Sequence, residues 1–351
     1  MRVLKEYARV RVPATSGNCG PGFDAIGMAH DLWDDVSATL TTGVTRVSII
    51  GEGAKELPRD ASHLIVRVMR ETMERFGLPL AGIELVCRNS IQQGKGLGSS
   101  AAAIVAGLML VRELTGGEDS SLTKEMMLDI ATEYEGHPDN AAPCLYGGAT
   151  LSWQSSGAIP AEAIHANEAS SSSPSSDSPS DDASGFSSDS SFGSDAADTA
   201  VHARRAYLHS ATHTVQLEVS PEVHTTVLVP ADVLPTSEAR AVLPQSVPHH
   251  DAAAQAAHAG LFVHALARRP DLLFDATEDY LHQRYRAGAM PRSAAMLDAL
   301  RQAHWPAVIS GAGPSILLFA QVDSALAQAV ERQGFRVIDS RQVPGAYAVN
   351  N

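Results

Sequence analysis

The sequence predicts an α+β protein, and three observations carry that prediction. Strand-like and helix-like segments occur in both halves of the chain without strict β-α-β alternation. The 351 residues are 44% hydrophobic, enough for two modest cores. A Ser- and Asp-rich stretch then separates the halves, which sets expected boundaries of 1–165, an insert at 166–203, and 204–351.

Each element follows from its local pattern. Alternating apolar positions predict strands over Leu4–Val12 and Asp35–Ile50. Leu64, Val68, Met69, Met73 and Phe76 recur at helical spacing, so Ser62–Phe76 is expected to be a helix closed by Gly77. Ile83–Cys87 reads as a strand leading into a glycine loop. Ser99–Leu114 reads as the helix leaving that loop, ended by Gly116 and Gly117. Leu122–Tyr134 is a further expected helix. Later come strands at Tyr207–Glu218 and His224–Val229, and helices at Asp251–Ala267, Pro270–Glu278 and Ala294–His304. Strands Ala307–Ser310, Ser315–Ala320 and Phe335–Asp339, with a helix Ser324–Gln333, complete the pattern.

Composition excludes several classes. Seven acids and no Lys or Arg fall between Ala166 and Ala200, so half of the net charge of −14 belongs to the insert. The remainder is mildly acidic with no basic stripe, which argues against a nucleic-acid partner. The insert carries too little apolar surface to offset its chain entropy and is expected to be a disordered, solvated linker. No apolar run is long enough for a membrane span. The N-terminus lacks a signal-peptide core. Three scattered cysteines, Cys19, Cys87 and Cys144, fit a reduced, cytoplasmic setting.

The chemistry concentrates in two glycine-rich stretches, Pro13–Asp24 and Gly94–Ala103. In the second, Gly94, Gly96 and Gly98 alternate ahead of a strong helix opening at Ser99 and Ser100. Such a loop points free N–H groups and the positive helix end at one spot, which suits phosphate. It is neither a Walker loop nor a dinucleotide fingerprint, and no nucleophile elbow is present. The plainer reading is a simple turn with Ser99 or Ser100 as an ordinary N-cap.

Two more segments join these in order: Glu133-Tyr134-Glu135-Gly136-His137-Pro138-Asp139-Asn140 and Ser310-Gly311-Ala312-Gly313-Pro314-Ser315. Together the four resemble the GHMP small-molecule kinases, over nearly all of the chain except 166–203. Within that family the first and third resemble the members that act on L-homoserine. The resemblance implies a ribosomal-protein-S5-like nucleotide domain followed by a ferredoxin-like domain. It also implies Mg²⁺-assisted transfer of phosphate from ATP to the hydroxyl of L-homoserine, on the way to threonine, by a cytoplasmic homodimer. A mevalonate-type alcohol as substrate, or a non-catalytic ligand sensor of the same fold, are the alternatives.

Phosphoryl transfer asks mainly for positioning and charge neutralisation. The resemblance assigns the nucleotide to Ile91, Gln92, Gln93, Gly94, Lys95, Gly96, Leu97, Gly98, Ser99, Ser100 and Ala101, where Lys95 adds a point charge or is merely solvated. Mg²⁺ wants hard oxygens, and the resemblance supplies Ser100 with Glu133, or Glu135 in its place. A zwitterionic substrate wants a guanidinium fork for its carboxylate and an acid for its ammonium. The family pattern offers Asn18, Asp24, His137, Thr236, Arg240 and Arg286, with Arg284 as a rival to Arg286. Thr236 and Arg240 share a face if their stretch is helical. Asp139 is the candidate base. Alternatively Asn140 orients the hydroxyl while Asp139 only holds its neighbours. The Ser310–Ser315 turn either caps the substrate pocket or joins the domains. Gln92, Gly17 and Cys19 depart from the family pattern, and none is expected to touch a ligand residue.

Overall fold

In the computed structural model the described residues are 1–155 and 212–349. The whole of the 166–203 insert, like the start of the strand expected at Tyr207–Glu218, lies outside them. One compact unit holds Met1–Trp153 and Thr212–Asn351.

The first half builds a mostly antiparallel sheet. Its strands are β1 (Tyr7–Ser16), β2 (Ile26–Thr41), β3 (Arg46–Gly51) and β4 (Gly82–Asn89), in the order β1-β2-β4-β3, with only β3 and β4 parallel. Strand β2 begins well before the expected Asp35, because Ile26–His30 is buried between β1 and β5 (Ala149–Gln154). Strand β6 (Thr212–Leu217) pairs with β5. Helix α1 (Leu64–Arg75) starts after the expected Ser62, since the Asp60 carboxylate holds the Ser62 N–H in a turn and His63 accepts the Ile65 N–H instead. Helix α2 spans Ser99–Leu114 as expected, and it is buried on nearly every side. Helix α3 (Lys124–Glu135) is capped by Thr123 and stops at Gly136. A short α4 (Ala141–Tyr146), absent from the sequence reading, follows Asn140 directly.

The second half places β7 (Thr225–Pro230), β8 (Ala307–Ile309), β9 (Ile316–Leu318) and β10 (Phe335–Ser340) in one antiparallel sheet, ordered β10-β7-β9-β8. Around it run α5 (Thr236–Ala241), α6 (His249–Ala267), α7 (Leu273–Ala276), α8 (Gln283–Arg286), α9 (Pro291–Gln302) and α10 (Ser324–Arg332). The chain returns at its end: β11 (Tyr347–Ala348) pairs with β1. Two hydrophobic clusters result, the larger around α2 and the first sheet, the smaller behind the second sheet. Among the described residues no helix is long and apolar enough to cross a membrane.

Candidate active site

The glycine loop connects β4 to α2. The buried Asp34 carboxylate of β2 accepts the Ser90 and Ile91 N–H groups at 2.7 and 2.9 Å and fixes where the loop begins. Gly96 and Gly98 are left-handed, with φ of 71° and 67°. Each also lies against backbone or a buried side chain: a Cβ on Gly96 would sit 2.2 Å from the Ser310 carbonyl, and one on Gly98 would sit 2.0 Å from Thr15 Oγ1. Gly98 is the N-cap of α2 and no side chain caps that end. Ser99 and Ser100 are therefore the first helical residues, not caps, and the N–H groups of Ser99, Ser100 and Ala101 are left for an anion. Ile91 and Leu97 are buried supports, the latter accepting the Thr15 N–H. Gln92 donates to Glu52.

Lys95 does not present its charge to the loop's open side. Its buried ammonium donates to the carbonyls of Pro230, Ala231 and Asp232 at 3.0, 2.6 and 2.6 Å, which ties the loop to the end of β7. Burial lowers its pKa. The Ser310–Ser315 turn closes on both glycine stretches: Gly311 N–H donates to Gly17 O and Ser315 N–H to Lys95 O. It clamps the loops together.

The two glutamates at the end of α3 separate cleanly. Glu133 points outward and holds the Arg75 guanidinium at 2.7 and 3.1 Å. Glu135 is half-buried, and its Oε1 accepts from Ser100 Oγ at 2.5 Å. Burial raises the Glu135 pKa against the lowering effect of that hydrogen bond. Residues two apart on a helix lie on nearly opposite faces, so only one of them can reach α2. No cationic side chain among the described residues pairs with Glu135. A hydroxyl and a carboxylate in contact form a hard-oxygen donor set that fits Mg²⁺.

The third and first motifs meet in a buried cluster. Asp139 is wholly buried; it accepts from Asn18 N–H at 2.7 Å, His137 Nδ1 at 2.5 Å and Asn140 Nδ2 at 3.1 Å. Burial pulls the His137 pKa down, but the hydrogen bond and charge of Asp139 outweigh it and leave it raised. Asn140 Oδ1 accepts from Thr15 Oγ1 at 2.9 Å. Gly17 packs directly beneath this cluster: a Cβ there would lie 2.3 Å from Asp139 Oδ2 and 2.4 Å from Asn140 Nδ2. The expectation that Gly17 touches no ligand residue is thus corrected.

Beside the cluster, Asn18 Oδ1 accepts the Asp24 N–H, and the Asp24 carboxylate takes both Arg240 nitrogens at 2.7 and 3.2 Å. The Phe23 ring has the Arg240 and Arg286 guanidinium carbons 5.8 and 5.6 Å from its centroid. Arg286 is 1% exposed. It donates to the Ala239 and Gly311 carbonyls and to His282 Nδ1, and no carboxylate among the described residues pairs with it. Burial lowers its pKa. Arg284 instead faces outward onto Asp251 and Tyr285. Thr236 opens α5, one turn before Arg240, and is exposed.

The sequence reading missed a cavity of about 210 Å³ next to Ser99 and Ser100, bounded by Asp34, His63, Ile65, Asn89 and Gln93 among others. His63 uses Nδ1 to cap α1, which leaves Nε2 as the N–H; that buried atom has no partner among the described residues. No motif announced it: a histidine before a helix reads as a turn residue.

A left-handed glycine loop on an uncapped helix, an oxygen donor pair and a cationic pocket define a phosphoryl-transfer enzyme of small molecules. The comparisons agree. The GHMP kinases N terminal domain model matches residues 63–148, and the GHMP kinases C terminal model matches 255–335. A homoserine kinase of Streptomyces coelicolor is 44% identical over 317 residues, covering 90% of this chain and 85% of that protein. One of Rhodococcus erythropolis is 36% identical over 94% of this chain and 91% of its own length. The crystal structure of homoserine kinase from Cytophaga hutchinsonii superposes with a TM-score of 0.72 at 24% identity over 99% of both chains. The chain therefore belongs to the GHMP kinases and, among them, to the homoserine kinase family. Use of ATP follows from that membership.

Proposed function

We propose that this chain transfers the γ-phosphoryl group of ATP to the hydroxyl of L-homoserine, giving O-phospho-L-homoserine. The observation that carries the substrate is Arg286: a buried guanidinium without a carboxylate partner, beside Arg240, is suited to capturing an α-carboxylate. Asp24 and Asn18 stand next to it for the ammonium. Bidentate capture, together with an acid for the amine, favours an amino acid over a mevalonate-type alcohol.

The loop N–H groups and the start of α2 hold the triphosphate, and the adjoining cavity is of a size and polarity for the base, with His63 Nε2–H as donor. Ser100 and Glu135, rather than Glu133, would hold Mg²⁺, which when bound neutralises charge on the phosphates. Asn140 donates one amide hydrogen to Asp139 and has a second to orient the substrate hydroxyl. Asp139 has three donors on its carboxylate and no exposed surface, so its role here is to position His137 and Asn140. The hydroxyl proton then leaves late, to the transferred group itself, as a loose transition state permits. A cytoplasmic homodimer, supported by the family alone, belongs to the same proposal.

ADP release by the purified chain tests this, with ATP–Mg²⁺ and L-homoserine, D-homoserine, L-threonine, L-serine or mevalonate. Turnover on L-homoserine alone is expected. Preferred turnover on mevalonate would overturn the amino-acid pocket.

A further inference from the structure

A line of hydrogen bonds behind the phosphate loop has no part in the function described above. Ser340 Oγ lies 2.9 Å from His30 Nδ1, His30 Nε2 lies 2.6 Å from Ser16 Oγ, and Ser16 Oγ lies 2.6 Å from Ser310 Oγ. Ser310 Oγ then donates to the Gly96 carbonyl at 2.6 Å. All four side chains are buried, and they come from β10, β2, β1 and the Ser310–Ser315 turn.

Counting donors fixes the direction of every bond for a neutral imidazole. Ser310 has one hydroxyl proton, and Gly96 O takes it, so Ser310 must accept from Ser16. Ser16 has then used its own proton and must accept from His30 Nε2–H. That leaves Nδ1 bare to accept from Ser340. A neutral imidazole completes the line in this one tautomer alone, since Nε2 must carry the proton. Burial supports that state by pushing the His30 pKa down to about 4. A trans peptide is planar with its C=O and N–H opposed. Drawing the Gly96 carbonyl inward onto Ser310 therefore turns the Leu97 N–H away from Ser310.

We propose that His30 is a positioning residue for ATP, acting through Ser16 and Ser310 to set the Gly96–Leu97 peptide so that the loop's donors face the triphosphate. The inference rests on the reading of Gly94–Ala101 as the nucleotide loop.

Steady-state kinetics of the full chain with ATP–Mg²⁺ and L-homoserine test it. His30→Leu and Ser310→Ala should each raise KM for ATP about tenfold. The value of kcat and KM for homoserine should stay within about twofold. The double variant should be no worse than Ser310→Ala, since both changes cut one line. His30→Gln should restore KM for ATP, because an amide keeps one donor and one acceptor. If His30→Leu does not fold, Ser310→Ala and Ser340→Ala carry the test, the latter with a smaller rise. Unchanged KM for ATP in both, or a fall in kcat alone, overturns the inference while leaving the site reading intact. Wild-type chain that neither binds nor turns over ATP–Mg²⁺ overturns the site reading, and the inference with it.

Discussion

The proposed nucleotide side and the proposed amino-acid side of the site are built from different parts of the chain. The nucleotide side is backbone: left-handed glycines, an uncapped helix end and N–H groups. The loop's own cation, Lys95, has its charge turned onto three carbonyls. The amino-acid side is side chains: Asp24 on Arg240, Arg286 over Phe23, and Asp139 saturated by three donors. The difference teaches where each side is vulnerable. A backbone site resists most substitutions and fails when a glycine gains a Cβ, whereas a site of desolvated charges fails when one partner is truncated.

Truncation of a charge gives the largest expected effect. Arg286→Ala should lower kcat/KM for L-homoserine by about a thousandfold, as expected for a charged group lost from a buried pairing. Arg240→Ala should follow closely, since it also leaves Asp24 unpaired. Nucleotide affinity, read with a fluorescent ATP analogue, should hold in both; an equal loss of it would erase the distinction between the sides.

Next comes the glutamate pair. Glu135→Gln is expected to cost about a hundredfold in kcat/KM and to raise the Mg²⁺ concentration needed, the scale of losing one preorganised electrostatic group. Glu133→Gln removes only an exposed ion pair with Arg75 and should change activity by less than about twofold. A Mg²⁺ titration of both variants decides, and the reverse ranking would move the metal to Glu133.

A change confined to the nucleotide side is smaller. Gly98→Ala puts a Cβ at φ of 67° and 2.0 Å from Thr15 Oγ1. Strain of about 1–2 kcal/mol predicts a KM for ATP raised roughly tenfold. KM for homoserine should barely move, and a matching rise there would show the two sides to be coupled.

The least effect on turnover is expected at Asp34, where the signal lies in stability. Burial lifts its carboxyl from 3.8 to about 6, against the lowering effect of the Ile91 and Ser90 N–H groups. The folded state thus holds this proton more tightly than the unfolded chain. The stability it confers is complete below the unfolded value and is lost as pH rises through about 6. Asp34→Asn keeps an oxygen for the two N–H groups without the charge. Urea melts from pH 4 to 7 should find the variant more stable above pH 6, by on the order of 2 kcal/mol, and similar near pH 4. The same pH trend in both proteins would remove Asp34 as its cause.

The sequence by itself determined what short-range physics dictates. Alternation and helical spacing located most strands and helices, and helix α2 from Ser99 to Leu114 follows from apolar continuity between two glycine signals. Four ordered motifs carried the family and supplied most residues of the proposed site, because glycine spacing encodes backbone shape locally. The tertiary structure decided everything that depends on a helical phase or a distant partner. Glu133 and Glu135 differ by two residues, and only the packing of α3 turns the second toward Ser100. Arg284 and Arg286 are alike in sequence, yet one faces Asp251 and the other is enclosed by Ala239, His282 and Gly311. Lys95 could be read as a point charge or as a solvated side chain, and its ammonium is instead held by carbonyls 135 or more positions away. Asp34, His63 and His30 belong to no motif. Burial and partners gathered from remote strands give them their chemistry, and neither can be read one residue at a time.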